Sequence, residues 1–187
     1  LPVRLQKESF ANAEEIRERM DMRKEDWFVC LHVREAGFRD DFGRREWRNS
    51  SISNYIPAIK AITEAGGWVI RMGDNTMTPL PQMDHVIDYP FSQFKSDLMD
   101  LYLISECKFY IASQSGILDV AVLFQKPIVT PNVYIWSVMF PHRNGDLDIM
   151  KHVYSRLQGR FLSIKELFEG DWAVQEISGS LSKDYEM

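Results

Sequence analysis

Residues 27–34 read Trp27-Phe28-Val29-Cys30-Leu31-His32-Val33-Arg34, an apolar run that ends in polar side chains. Residues 68–74 (Trp-Val-Ile-Arg-Met-Gly-Asp) and residues 109–116 (Phe-Tyr-Ile-Ala-Ser-Gln-Ser-Gly) end in the same way. In open α/β sheets ligands bind outside the carboxyl ends of the strands, so loops after neighbouring strands can converge on one crevice. The pattern predicts a parallel sheet with a ligand site at one edge.

The segments between these runs have helical periodicity. Isoleucines recur at helical spacing from Ile52 to Ile62, with Pro57 near the first turn and Gly66-Gly67 as the stop. Alternating strands and helices predict a Rossmann-like, doubly wound α/β fold with a mainly parallel, five-stranded sheet. The predicted strands are 27–33, 69–72, 85–89, 108–112 and 127–131. The predicted helices are 9–20, 53–65, one starting at Ser96 or Asp97, 117–124, and one between 163 and 170.

The length favours one domain, because domains usually hold roughly 100–200 residues and the chain has 187. We expect a leading helix and linker over residues 1–26, a core over 27–132 and a C-terminal helical region over 133–187. The chain begins at Leu1 rather than Met, so a fragment whose missing part holds half of the site is an open alternative.

Composition excludes some classes of function. The net charge of −5 argues against a general nucleic-acid binder, which needs a basic face, but allows a small anion held by local arginines. No apolar run approaches the ~20 residues that span a bilayer. Cys30 and Cys107 lie in apolar runs, which indicates buried reduced thiols. We expect a cytoplasmic protein, with peripheral attachment to a membrane left open.

The first strand ends in a His-x-Arg motif. Alternate strand residues share one side of the sheet, so His32 and Arg34 are expected to face the same way. The planar fork of an arginine suits a diphosphate because it donates two hydrogen bonds and keeps its charge. The alternative is a core histidine and a surface ion pair between Arg34 and Glu35. After the second strand, Arg71 and Asp74 are similar candidates, although Gly-Asp-Asn is also an ordinary turn composition.

The loop Ser113-Gln114-Ser115-Gly116 precedes a predicted helix and suits an anion. Backbone N–H groups at a helix N-terminus carry partial positive charge, and the two hydroxyls add donors. The alternative is that Ser113 or Ser115 only caps the helix.

Two further groups of charged residues are weaker candidates. Arg39, Arg44, Arg45 and Arg48 lie among acidic residues, so we assign only one or two of them to a ligand. Lys95-Ser96-Asp97 is more typical of a helix cap than of a ligand contact.

Several familiar motifs are absent from the sequence. There is no G-x-G-x-x-G after a strand, no G-x-x-x-x-G-K-[ST], no G-x-S-x-G and no His/Cys metal spacing. A classical dinucleotide site, a P-loop, an α/β-hydrolase and zinc chemistry are therefore poor fits. A phosphate-binding site that does not use those motifs is the class of site still compatible with the sequence.

The sequence resembles a family of bacterial glycosyltransferases found among surface-polysaccharide genes. The likeness covers about residues 27–132 and lies in segments 28–34, 48–55, 66–74, 86–89, 95–100 and 113–116. More distantly, the layout resembles the nucleotide-sugar-binding, C-terminal half of GT-B glycosyltransferases, above all the fucosyltransferases with a His-x-Arg motif after a strand.

The resemblance implies roles for individual residues. His32 and Arg34 would contact the nucleotide and its diphosphate, a serine of the 113–115 loop would reach the β-phosphate, and Asp74 would lie near the base or ribose. Glu35 stands where those fucosyltransferases often have a second arginine, which leaves the second phosphate contact and the sugar unassigned. GT-B enzymes generally work without a bound metal. Their other half, which binds the acceptor, has no obvious counterpart here.

We therefore predict a metal-independent glycosyltransferase domain, with no cofactor, that transfers a sugar from a nucleoside-diphosphate sugar to a glycan acceptor. Arg34 is the first candidate to stabilise the charge that grows on the β-phosphate. The candidates for the general base are Glu35, Asp40 and Asp41. The predicted catalytic residues are His32, Arg34 and Glu35, and the predicted donor-binding residues are Arg71, Asp74, Ser113, Gln114, Ser115 and Gly116.

Two alternatives to this prediction remain. One is a sugar-nucleotide epimerase or hydrolase of the same architecture, which would bind the same ligand without an acceptor. The other is a non-catalytic nucleotide-sensing or scaffolding domain.

Overall fold

The structure, a computed structural model, describes residues 3–37, 48–133, 143–169 and 185–186. Its main sheet has six strands: β1 (Phe28–His32), β2 (Trp68–Arg71), β3 (Val86–Asp88), β4 (Tyr110–Ala112), β5 (Ile128–Val133) and β6 (Leu147–Met150). All neighbours pair in parallel, in the spatial order β3-β2-β1-β4-β5-β6. This order is that of the Rossmann fold, and it reverses direction between β1 and β4. The predicted doubly wound α/β fold is confirmed.

Helices cover both faces of the sheet. The described residues contain α1 (Lys7–Arg19), α2 (Ile56–Glu64), α3 (Asp97–Glu106), α4 (Ile117–Leu123) and α5 (Ile164–Glu169), with 3-10 turns at Ile52–Tyr55 and Tyr89–Phe91. Ser96 caps α3, because its side chain accepts a hydrogen bond from the backbone N–H of Met99. The cap predicted at Ser96 is therefore confirmed. No helix in the described parts of the chain is long and apolar enough to cross a membrane.

The prediction of five strands and a helical C-terminal region was wrong in two respects. β6 pairs with β5, and Leu147 lies opposite Val129. The short strands β7 (Tyr154–Ser155), β8 (Arg160–Phe161) and β9 (Tyr185–Glu186) form a separate antiparallel sheet. Within the described part of residues 133–187, only α5 is helical, and it begins with the capping box expected from the spacing of Ser163 and Glu166.

The core lies on both sides of β1, whose five residues are all buried. Phe28 and Cys30 pack into a cluster with α1, α3 and α4, whereas Val29 and Leu31 pack into a second cluster with α2. Alternate residues of a strand point to opposite faces, which explains a continuous apolar run buried on both sides. Cys30 and Cys107 are buried free thiols, as the sequence predicts.

Arg71, the last residue of β2, is fully buried and forms ion pairs with two partly buried carboxylates. Its Nη1 lies 3.0 Å from Asp88 Oδ1 and its Nη2 lies 3.0 Å from Glu35 Oε2. The same carboxylates accept hydrogen bonds from the backbone N–H groups of Thr78 and Leu80. The guanidinium at the end of β2 therefore binds both the segment after β1 and the end of β3.

Replacing Arg71 tests this structural role. Arg71→Met keeps an unbranched apolar side chain but leaves two largely buried carboxylates without their cation, so the free energy of unfolding should fall by about 3 kcal/mol. Arg160→Met is the matched control, because Arg160 pairs with Glu166 at the surface, where water screens the ion pair, so its loss should lower the stability much less. Urea denaturation of both variants measures the difference, and equally small losses would contradict the role of Arg71.

Candidate functional site

The carboxyl ends of β1 and β4 are joined by hydrogen bonds at the point where the strand order reverses. The N–H of Ser113 donates to the carbonyl of His32 (3.0 Å), and the N–H of Arg34 donates to Ser113 Oγ (3.2 Å). Ser115 Oγ lies 3.3 Å from His32 Nδ1. The structure thus brings the His-x-Arg motif and the 113–116 loop together at one edge of the sheet.

Three cationic side chains meet at this edge. Arg34 Nε donates to Asn49 Oδ1 (3.1 Å), and Lys151 Nζ donates to the carbonyl of Asn49 (3.2 Å). Arg48 Nη2 donates to the carbonyl of Gln114 (2.9 Å). The cations come from three separate parts of the chain, so the fold concentrates positive charge locally in a protein whose net charge is −5.

Lys151 is half-buried, and burial lowers the pKa of its ammonium group from the usual value. A desolvated cation is stabilised by an anion that replaces its lost water. Arg34 and Arg48 are likewise partly buried. An anionic ligand at this edge would therefore meet cations that are already partly removed from water, where electrostatic attraction is stronger than at an open surface.

Residues 48–50, which we call the 48–50 segment, hold these cations in place. The N–H of Ser50 donates to the carbonyl of Arg34 (2.9 Å). Asn132 Nδ2 donates to Ser50 Oγ (2.7 Å) and to the hydroxyl of Tyr55 (2.9 Å). The segment is thus bonded to the ends of both β1 and β5.

His32 is buried and neutral at pH 7. The pKa of its imidazole is lowered to about 4, mainly by burial, with the charges of Arg71 and Arg34 acting in the same direction and that of Asp74 opposing them. A neutral imidazole has one N–H donor and one acceptor nitrogen. His32 can therefore position a ligand by hydrogen bonding, but it adds no positive charge to the site.

Two predicted site residues have structural partners instead. Arg71 was expected to bind the donor, but its side chain is fully buried and both terminal nitrogens contact carboxylates. Glu35 was expected to act in catalysis, but its Oε2 accepts hydrogen bonds from Arg71 and from the N–H of Thr78. A carboxylate oxygen engaged in this way is poorly placed to accept a proton. We assign both residues to the fold rather than to the ligand.

Asp74 lies beside the site in a turn. Its Oδ1 accepts a hydrogen bond from the backbone N–H of Thr76 (2.8 Å) and contacts the hydroxyl of the same residue. This is the Asx turn that the Gly-Asp-Asn composition allows. A contact between Asp74 and a base or ribose stays a prediction.

The 113–116 loop does not cap the helix that follows. α4 has only seven residues, and its N-cap residue Gly116 makes no side-chain cap hydrogen bond. The hydroxyls of Ser113 and Ser115 instead contact Arg34 and His32. Because so short a helix has a small dipole, the cations rather than the helix amides are the main source of positive potential.

The weaker candidates from the sequence have different outcomes. Lys95 forms an ion pair with Asp100. The predicted residues Arg39, Asp40, Asp41, Arg44 and Arg45 lie outside the described residues. Sequence reasoning missed Lys151, which directly follows β6, and Asn132, which lies near the end of β5. Only the Pro-Asn pair at residues 131–132, just after a predicted strand, could have drawn attention to Asn132.

Comparisons with known proteins agree on the fold. No family model and no curated protein matches the chain. A glycosyl transferase of family 9 from Veillonella parvula matches with a TM-score of 0.55 at 12% identity, over 98% of this chain and 47% of that one. ADP-heptose LPS heptosyltransferase II of E. coli matches with a TM-score of 0.52 at 12% identity, over 81% of this chain and 45% of that one.

The chain spans just under half the length of each of these two structures. At 12% identity the likeness concerns the fold alone. Both proteins are sugar transferases by name, so the comparison confirms the distant resemblance to glycosyltransferases at the level of the fold.

The buried histidine makes stability depend on pH. Between pH 6.5 and about 4 the unfolded chain binds a proton at His32 that the folded chain does not. This contribution to stability is therefore complete above pH 6.5 and is lost as the pH falls toward 4. One pKa unit is worth about 1.4 kcal/mol, so the loss attributable to His32 should be roughly 3 kcal/mol.

Urea denaturation at several pH values between 4 and 7 tests this prediction. The stability of the wild type should fall more steeply toward low pH than that of His32→Gln, which has no group to protonate. Parallel curves for the two proteins would show that His32 titrates normally in the fold.

Proposed function

We propose that this chain is the donor-binding domain of a glycosyltransferase and that it binds a nucleoside-diphosphate sugar outside the carboxyl ends of β1 and β4. The observation that carries the proposal is the convergence of Arg34, Arg48 and Lys151 beside the 113–116 loop. Crevices at the point where the strand order reverses are the usual ligand sites of open α/β sheets. Guanidinium groups match the geometry and charge of phosphates.

The proposed chemistry uses these cations during sugar transfer. As the bond between the sugar and the β-phosphate breaks, negative charge grows on the leaving nucleoside diphosphate. Cations fixed beside that oxygen stabilise the transition state more than the ground state, which is what accelerates the reaction. Arg34 is the first candidate for this contact, with Arg48 and Lys151 beside it. We propose that this stabilisation needs no metal.

The hydroxyls of the 113–116 loop supply further contacts. Ser113 Oγ accepts a hydrogen bond from the N–H of Arg34, and a hydroxyl that accepts one bond still has one proton to donate. We propose that Ser113 or Ser115 donates to the β-phosphate and that neutral His32 positions the nucleotide.

Acceptor binding and the general base are assigned to no described residue. Because the chain spans about half the length of the two transferases that share its fold, we propose that a second half provides the acceptor site. The glycan acceptor and the identity of the sugar depend on that half as well as on this one.

Calorimetry with a panel of nucleoside diphosphates and the matching nucleosides tests the binding site. Arg34→Ala should weaken binding of the best diphosphate at least about tenfold, since a charge-assisted bidentate contact is worth roughly 1.5–3 kcal/mol. Binding of the nucleoside alone should change less than about twofold, and Arg160→Ala should change neither. An equal loss for both ligands, or no binding of any diphosphate by the wild type, would contradict the proposal.

A turnover assay on the full-length protein separates transfer from the alternatives. With a labelled nucleoside-diphosphate sugar, a transferase forms a labelled glycan only when an acceptor is added. Free sugar or an isomerised donor, formed without acceptor, would indicate a hydrolase or an epimerase. Binding without any turnover would indicate a non-catalytic nucleotide-binding domain.

A further inference from the structure

Asn132 adopts a backbone conformation that favours glycine. Its φ is +57°, in the left-handed region, and it lies where the pairing register of β5 and β6 shifts between Pro131 and Val133. Non-glycine residues in this region cost of the order of 1 kcal/mol, and asparagine is among those that tolerate it best. Glycine would adopt this backbone conformation without strain, which suggests that the side chain of Asn132 has a role of its own.

The amide of Asn132 makes two hydrogen bonds to a distant part of the chain. Its Nδ2 donates to Ser50 Oγ at 2.7 Å and to the hydroxyl of Tyr55 at 2.9 Å. Tyr55 is buried and belongs to the cluster packed under α2, so it is a fixed anchor. Ser50 is less buried and belongs to the 48–50 segment. Asn132 therefore ties the 48–50 segment to both the core and the end of β5.

The 48–50 segment in turn sets the position of the cations. Ser50 donates its N–H to the carbonyl of Arg34, and the neighbouring Asn49 accepts hydrogen bonds from Arg34 Nε and Lys151 Nζ. Arg48, at the start of the segment, reaches the carbonyl of Gln114. A shift of this segment would move Arg48 and would break the hydrogen bonds that hold the side chains of Arg34 and Lys151 beside the 113–116 loop.

We propose that Asn132 is a positioning residue of the diphosphate site, which acts through Ser50 to hold Arg34, Arg48 and Lys151 in register with the 113–116 loop. This inference rests on the proposed function for its ligand, but the bonds that carry it are independent of any ligand. The side chain of Asn132 is uncharged, so it affects binding by fixing the positions of the cations and not by attracting the diphosphate.

The test is Asn132→Gly, which keeps the left-handed backbone and removes only the amide. Gln125→Gly is the matched control, because Gln125 also has a φ of +57° but is exposed and lies just after α4. We expect Asn132→Gly to raise the Kd for the best-bound nucleoside diphosphate about tenfold. Amide hydrogen exchange over residues 48–55 should speed up by a similar factor. Neither should change in Gln125→Gly, and the unfolding midpoints of both variants should stay close to that of the wild type.

A double-mutant cycle with Ser50→Ala shows whether Asn132 acts through Ser50. If it does, the double variant binds the diphosphate no more weakly than the weaker single variant, because each change breaks the same link. Additive losses would mean that Asn132 acts by another route, and the inference would be overturned.

The two readouts separate this inference from the proposed function. If the wild type binds no nucleoside diphosphate while Asn132→Gly still speeds exchange over residues 48–55, the ligand assignment fails and the positioning role stands. If the wild type binds a diphosphate but Asn132→Gly matches Gln125→Gly in Kd and in exchange, the positioning role is wrong.

Discussion

β1 and β4 pair in parallel at the centre of the sheet, with His32 opposite Ala112, and this pairing brings the His-x-Arg motif beside the 113–116 loop. The helix after β1 packs on one face of the sheet and the helix after β4 packs on the other, the arrangement in which open α/β sheets usually bind ligands between the two loops. The N–H of Ser113 donates to the carbonyl of His32, and the N–H of Arg34 donates to Ser113 Oγ, so the two loops are held together at this edge. A register shift of one residue would turn each of these side chains to the opposite face.

The protein uses its arginines in two distinct ways near this edge. Arg71 is fully buried between Glu35 and Asp88, where it neutralises two carboxylates and fixes the loops behind the site. Arg34 and Arg48 are only partly buried, and the hydrogen bonds given above hold them through an amide and a backbone carbonyl. Arg71 thus belongs to the scaffold, whereas Arg34 and Arg48 are the arginines that we propose for the ligand. The chain is acidic overall, but its arginines at this edge still make the charge there locally positive, which is compatible with an anion site.

The sequence predicts the elements with local signals and misses the features that depend on long-range contacts. β1, β2 and β4 were evident as apolar runs, and the caps at Ser96 and Ser163 followed from residue spacing. β6 was missed because its apolar residues Leu147 and Ile149 are exposed at the edge of the sheet. Arg71 was misassigned because nothing in its local sequence shows that Glu35, after β1, and Asp88, at the end of β3, lie beside it. The role of Lys151 depends on a partner 102 residues away in the chain.

A crystal structure of the full-length protein with the nucleoside diphosphate that it binds best would test the central claim most directly. The account predicts that the two phosphates lie within hydrogen-bonding distance of the Arg34 guanidinium and of a hydroxyl of Ser113 or Ser115. A diphosphate bound at another edge of the sheet, with the Arg34 guanidinium turned away from the 113–116 loop, would contradict it.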